Sequence, residues 1–305
     1  MAITAKDVQK LREMTGVGMM DCKKALTASE GDIDKAIEWL REKGLAAQTK
    51  KAGKVAAEGV SYAIVADNGV GVVIEVNSQT DFVAKNEVFQ AFVKDLALVV
   101  ANENPADVEA LKACTYPGTD RTVSDVTADK VLAIGENIQI RRFVRYAEGV
   151  NVPYIHMGGK IGVLVALEVS DNLKGNAVVN ELGHDVCMQI AAMNPQYLNR
   201  DSVPAEVVEH EKEILMAQTI NEGKPEAVAQ KIVSGRINKF FEENCLVDQA
   251  FVKENKTSVS KYVDAKAKEL GGTISIKNFV RFEKGEGLAK REDDFAAEVA
   301  AMAKK

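Results

Sequence analysis

Three blocks of this 305-residue sequence occur twice, in the same order. GVVIEV at 71–76 is matched by GVLVAL at 162–167. FVKDLALVVANENP at 92–105 lines up with LGHDVCMQIAAMNP at 182–195, sharing an Asp and a terminal Asn-Pro. GENIQIRRFVRYAEG at 135–149 matches GGTISIKNFVRFEKG at 271–285 without a gap. Such order marks an internal duplication, so one unit must fold twice within the chain.

The first copy shows what that unit is. Val60 to Val65 and Val70 to Val76 alternate and are rich in β-branched residues, and Asp67-Asn68-Gly69 lies between them. This reads as a β-hairpin, with Asn-Gly supplying the positive φ angles of a tight turn. A helix follows through Phe89, Phe92, Leu96 and Val99, then a Pro/Asp/Thr-rich stretch from Pro105 to Asp129, then a strand from Ile138 to Tyr146. Hairpin, helix and return strand make an α+β subdomain, expected at 55–146 and again at 147–203 with 245–284. The second copy is interrupted. Pro204 to Gly223 and Pro225 to Asn244 are charged, helix-forming stretches separated by Glu222-Gly223-Lys224-Pro225, a breaker followed by a favourable start. They predict an antiparallel helical hairpin inserted at 204–244. With Val207, Val208, Ile214 and Leu215 amid dense charge, it has little core of its own, and self-association or a partner-facing role is expected through it.

Residues 1–54 read as three short helices. Thr4-Ala-Lys-Asp7 is a capping-box-like start. Val8 and Leu11 begin an apolar stripe that Thr15-Gly16-Val17-Gly18 breaks. A second helix runs from Met19 to Leu26, and a third carries Ile33, Ile37 and Leu40 with Gly44 as its stop. So small a module has a marginal core and is expected to lean on a partner or on the rest of the chain. Gln48 to Lys54 reads as a tether or a solvated helix. A last helix, with Phe295, Val299 and Met302 on one face, is expected within 285–305.

Several function classes fall away. A net charge of −6 does not suit a general nucleic-acid binder. No stretch approaches the ~18 apolar residues of a membrane helix. The four cysteines are far apart and the start MAITAKDVQK has no apolar signal core, which together point to a cytoplasmic protein with reduced thiols. Gly16-Val-Gly18 and Gly69-Val-Gly71 lack the third glycine of a dinucleotide loop, and there is no phosphate loop. His184 and Cys187, one helical turn apart, are at most half a metal site and read as core or interface. No paired carboxylates suit acid–base chemistry. Neither cofactor nor catalytic residue is expected, and the chain does not read as an enzyme.

The stretch that stands out is VNSQTDFVAKNEVF, 76–89. One reading is local: Thr80 caps a helix, Asp81 suits the positive end of its dipole, and Phe82 leads an apolar stripe with Phe89, Phe92 and Leu96. The second copy weighs against it, because LEVSDNLKGN at 167–176 keeps a turn and an apolar residue but has no acid–aromatic pair.

LREMTGVGMMDCKKAL (11–26), VNSQTDFVAKNEVFQAF (76–92) and RFEKGEG…DDFAAEVAAM (281–302) resemble bacterial elongation factor Ts along essentially the whole chain. The resemblance implies guanine nucleotide exchange on elongation factor Tu in translation elongation. It also implies an N-terminal three-helix module like a ubiquitin-associated domain, two similar α+β subdomains, and a hairpin that can serve dimerisation. It assigns displacement of the partner's Mg²⁺ to Thr80, Asp81, Phe82 and Val83. It places further partner contacts at Arg12, Met19, Met20 and Lys23 on the first module, where the methionines could equally be core. His156, in a Tyr-x-His pattern, would contact another domain of the partner. Two segments fit the pattern less well: the loop from Cys114 to Asp129, and Val247 to Leu270, more helical than a plain return strand. Two rivals stay open, an adaptor without exchange activity and a small-molecule enzyme with a site between the copies.

Overall fold

The computed structural model describes residues 3–289. The helix expected around Phe295, Val299 and Met302 lies outside the described residues. At the N-terminus α1 (Ala5–Thr15), α2 (Met19–Ala28) and α3 (Ile33–Lys51) follow the predicted punctuation. Thr4 and Asp7 form a capping box, and Gly16 takes the left-handed conformation that ends α1. Gly44 does not stop α3, contrary to expectation; the helix runs on to Lys51. A Cβ at Gly44 would lie 3.2 Å from the Ala128 carbonyl oxygen, so the glycine serves a close helix crossing and not a cap.

The first copy comprises β1 (Glu58–Val65), β2 (Gly71–Ser78), a single turn α4 (Asp81–Ala84), α5 (Glu87–Glu103), α6 (Val108–Ala113), α7 (Val123–Ile134) and β3 (Gln139–Tyr146). In the β1–β2 turn only Gly69 has positive φ (79°). Asn68 instead accepts the Val70 N–H with its side chain at 3.0 Å, so the turn is wider than the two-residue type expected. The stretch read as a loop to Asp129 is helical from Val123, where Thr122 and Asp125 form a second capping box. The core sets Ile74 and Val76 against Phe89, Phe92 and Leu96, all essentially solvent-free. Each such side chain contributes about 1.5–3 kcal/mol by burial.

The second copy comprises β4 (Val150–His156), β5 (Ile161–Val169), α8 (Ala177–Met193), the inserted α9 (Ala205–Asn221) and α10 (Glu226–Asn244), a short hairpin β6 (Ala250–Phe251) and β7 (Glu254–Ser258), α11 (Val259–Glu269) and β8 (Ile274–Glu283). Val247 to Leu270 is therefore a small hairpin and a helix. That helix stands where α7 stands in the first copy, directly before the return strand. The duplication is thus fuller than the three matching blocks revealed.

Each copy forms a three-stranded antiparallel sheet, ordered β1-β2-β3 and β4-β5-β8, and each has a bulge at the equivalent step, Glu75/Val76 and Ala166/Leu167. The sheets pack face to face through Ala63, Val73, Leu164 and Phe282. The contact is reciprocal. A Cβ on Gly71 would lie 2.9 Å from Asn151 Cβ, and one on Gly162 would lie 2.9 Å from the Ser61 carbonyl oxygen. Ser61 and Asn151 occupy matching strand positions, so the copies exchange equivalent contacts. At these positions the interface is close-packed.

Of the two supports its size allowed, a partner or the rest of the chain, the helical module uses the first copy. Leu132 and Ala133 of α7 pack against its core of Leu11, Cys22, Leu26 and Leu40.

Candidate functional site

The apolar strand β2 ends at Ser78, and the chain must turn before α5 can begin at its own N-cap, Asn86, whose side chain accepts the Val88 N–H at 2.8 Å. Between them Asp81–Ala84 makes a single helical turn, α4. The break at Lys85-Asn86 separates Phe82 from the α5 stripe that the local reading had it lead. Val83 and Ala84 face the core, at 8% and 6% exposure, while Phe82 is 81% exposed. Four residues therefore divide their faces: two anchor and one aromatic ring stands in solvent.

Thr80 sits at the N-cap position, but its side chain caps nothing. Its hydroxyl donates to Glu136 Oε1 at 2.7 Å, and Ser78 Oγ donates to the Thr80 carbonyl at 2.9 Å. Asp81 accepts from Lys85 Nζ at 2.7 Å, a pair exposed on both sides. The Lys85 hydrogen bond, aided by the charges of Lys85 and Lys284, holds the Asp81 carboxyl below its ordinary value. At neutral pH it is an anion bearing one exposed, replaceable partner.

Phe82 forms part of the wall of an open cleft of about 880 Å³. Val83 and Val88 continue that wall, Met14, Thr15 and Val17 of the helical module lie across it, and α7 supplies Asp129, Lys130 and Ala133. Met14 and Val88 are 56% and 53% exposed. Sequence reasoning passed over both, although Met14 breaks the polar face of α1 and Val88 falls off the buried stripe of α5.

The remaining candidates lie around this cleft and beyond it. Arg12 and Met19 line a smaller groove that shares Gly16 with the cleft. Met19 and Met20, at 48% and 66% exposure, are surface residues and not core filling, and Lys23 is exposed beside them. His156 stands apart, at the end of β4 in the second copy. Its Nδ1 lies 2.9 Å from Tyr154 Oη, and the Tyr154 ring meets His184 edge-on at 5.0 Å between centroids. Beside it Met157 is 68% exposed at the hairpin tip. Cys187 donates to the Val152 carbonyl at 3.3 Å and burial pushes its thiol upward, which marks it as core.

The family model described as Elongation factor TS matches residues 79–286, beginning two residues before Asp81. The chain is 52% identical over 307 residues to the elongation factor Ts of Syntrophotalea carbinolica, with both chains fully covered. It is 51% identical to that of Clostridium perfringens strain SM101, covering 98% of this chain and 99% of the relative. To that of Symbiobacterium thermophilum it is 50% identical, with 97% of each covered. The chain belongs to the elongation factor Ts family. Among the described residues, no helix is long and apolar enough to cross a membrane, and no three His, Cys, Asp or Glu side chains gather as a metal set. The anchored turn presents an apolar ring and a carboxylate acceptor beside an open cleft.

Proposed function

We infer that the chain is a guanine nucleotide exchange factor in translation elongation, acting on elongation factor Tu in the cytoplasm. It makes and breaks no covalent bond; it changes the partner's affinity for GDP. A G domain holds GDP largely through the phosphates and a bridging Mg²⁺, the strongest local charge in such a site. An exchange factor succeeds by binding a conformation in which that ion and the phosphate-binding loop are displaced. Thr80, Asp81, Phe82 and Val83 are the displacing segment. Phe82 enters the partner as a wedge, Val83 anchors it from behind, and Asp81 exchanges Lys85 for donors that had supported the metal. Arg12, Met19, Met20 and Lys23 extend the contact along the helical module, and His156 adds one from the second copy. On this reading the units 1–54, 55–146, 147–203 with 245–284, 204–244 and 285–305 divide the work.

The observation that carries this reading is Phe82, a phenylalanine 81% exposed on a turn whose next two residues, Val83 and Ala84, are buried. An aromatic ring held in water gains most by entering a partner, and such anchors dominate interface energetics. An adaptor without exchange activity predicts no change in a partner's nucleotide kinetics. The test is elongation factor Tu loaded with a fluorescent GDP: catalytic amounts of this chain should accelerate release. An unchanged release rate would favour the adaptor.

The inserted hairpin is read as a dimerisation arm that meets a second copy of the chain. α9 and α10 bury few side chains against one another and leave Ile214, Ile220 and Val228 at 38%, 46% and 46% exposure. Deleting 204–244 should lower the sedimenting mass while exchange partly persists. A full-length chain that sediments as a monomer would contradict the arm.

A further inference from the structure

Glu136 lies in the turn between α7 and β3, immediately after Gly135, which ends α7 at φ 86°. Its Oε2 accepts the backbone N–H groups of Gln79 and Thr80, both at 3.0 Å. Its Oε1 accepts the Thr80 hydroxyl at 2.7 Å. Both oxygens of one carboxylate are thus engaged by the two residues that precede Asp81. Hydrogen bonds to an ionised acceptor are roughly twice as strong as neutral ones. The next residue, Asn137, is buried and donates to the Lys54 carbonyl at 2.8 Å, where the chain arrives from α3. Adjacent side chains of one turn therefore hold the Phe82 segment and the connection to the helical module.

The second copy shows that the fold does not require a carboxylate here. The residue matching Glu136 is Gly272, and the residue matching Thr80 is Ser170. That junction closes by direct pairing: the Ser170 N–H donates to the Thr273 carbonyl at 3.0 Å. The Thr273 N–H in turn donates to Ser170 Oγ at 3.0 Å. A side chain at Gly272 would clash, since its Cβ would lie 2.5 Å from Ser170 Oγ and 2.6 Å from Leu173 Cδ1. Only the copy that presents an aromatic ring carries a carboxylate clamp behind it.

We propose that Glu136 is a positioning residue for nucleotide exchange, holding Gln79–Thr80 so that Phe82 points outward before any partner arrives. This rests on the reading of Thr80–Val83 as the displacing segment. Thr80 is held extended, at φ −125° and ψ 156°, directly before the helical turn. Without the clamp, Val83 and Ala84 still anchor the turn from the core side. The two residues before Asp81, however, lose three acceptor contacts, and the ring samples directions that do not engage. Preorganised contacts bind better than identical contacts that must be ordered on binding.

The experiment compares Glu136→Ala, Glu136→Gln, Phe82→Ala and the double variant Glu136→Ala/Phe82→Ala in GDP release from elongation factor Tu. Amide hydrogen exchange is followed on the same free proteins. Glu136→Ala should slow release about tenfold, with Glu136→Gln intermediate because one carbonyl oxygen remains to accept. Gln79 and Thr80 amides should lose protection while those of α5 keep it. In the Phe82→Ala background, Glu136→Ala should cost nothing further, because the clamp acts only through the ring it directs. A purely structural Glu136 would instead act equally in both backgrounds, and that result overturns the proposal. So does full exchange activity in Glu136→Ala when Phe82→Ala is inactive. Normal exchange by Phe82→Ala would overturn the wedge reading itself, whatever Glu136 does. If Glu136→Ala does not fold, the isosteric Glu136→Gln is read in both backgrounds by the same criteria.

Discussion

Counted back from the matching N-caps Asn86 and Asn176, the two strand-to-helix junctions read Thr80-Asp81-Phe82-Val83 and Ser170-Asp171-Asn172-Leu173. Val83 and Leu173 both turn inward, at 8% and 2% exposure. The preceding position faces water in both copies. The second fills it with asparagine; the first fills it with phenylalanine, 81% exposed. The architecture therefore sets which residue is buried and leaves its neighbour free. An aromatic ring so exposed buries little against the fold. It keeps available about 1.5–3 kcal/mol of burial free energy for whatever receives it. The copies differ in the same sense at the sheet interface, where Glu75 of the first stands where the second has Ala166. Duplication supplied the scaffold, and the departures from symmetry mark what was added to it.

If that division holds, stability and exchange should respond to substitution in opposite order. The largest stability losses belong to shared, buried positions. Leu173→Ala in the second junction should cost about 2–5 kcal/mol, and Phe89→Ala at the head of α5 about 3–5 kcal/mol, by urea denaturation. A near-neutral Leu173→Ala would break the equivalence of the junctions.

Glu75 comes next. It is fully buried and accepts from Arg141 at 2.9 Å, Arg142 at 2.6 Å, Asn77 at 3.0 Å and the Gly285 N–H at 2.7 Å, so it ties the first sheet to the chain leaving β8. Glu75→Ala should cost about 3 kcal/mol, the lower end for breaking a buried pair because both arginines keep some water. Burial alone would raise this carboxyl; the hydrogen bonds from Asn77, Gly285, Arg141 and Arg142 together outweigh it and leave the group below its ordinary value of 4.5. Its stabilisation is therefore fully present above the unfolded-state value and fades as pH falls through the lower folded one. Glu75→Gln should be less stable than the parent at pH 7, and the gap should narrow in acid. A gap that widens in acid would show that the carboxylate is not the stabilising form.

Asp81 should move stability least among the charged residues, because its pair with Lys85 is exposed on both sides. Asp81→Asn should leave the melting midpoint within error and slow exchange. With the parent carboxyl held below 3.8, the exchange deficit should stay constant between about pH 5 and 8. A deficit that titrates near neutrality would assign the effect to another group.

Much of this was legible in residues alone. Alternation and an Asn-Gly turn outlined the first sheet, a capping box marked the first helix, and two Pro-led charged runs outlined the inserted arm. The duplicated blocks by themselves set the two junctions side by side. What escaped had physical causes. Gly44 looks like a helix stop, yet its missing Cβ serves a crossing with α7, and no local signal separates those uses. α7 hid in a Thr/Asp-rich stretch because Thr122 and Asp125, which read as loop residues, are its cap. Glu136 and Thr80 are 56 residues apart, and nothing local announces a hydrogen bond across that interval. Met19 and Met20 carry no periodic mark that separates surface from core.

The central claim is that Phe82 belongs to the partner and not to the fold, and Phe82→Ala tests it with two readings on one preparation. Buried, this ring would cost about 3–5 kcal/mol to remove. Exposed, it should leave the melting midpoint essentially unchanged. GDP release from elongation factor Tu should meanwhile fall at least about 30-fold, the rate equivalent of the ~2 kcal/mol that marks an interface hot spot. A variant that melts far below the parent, yet releases GDP normally per folded molecule, would return Phe82 to the core and contradict the account.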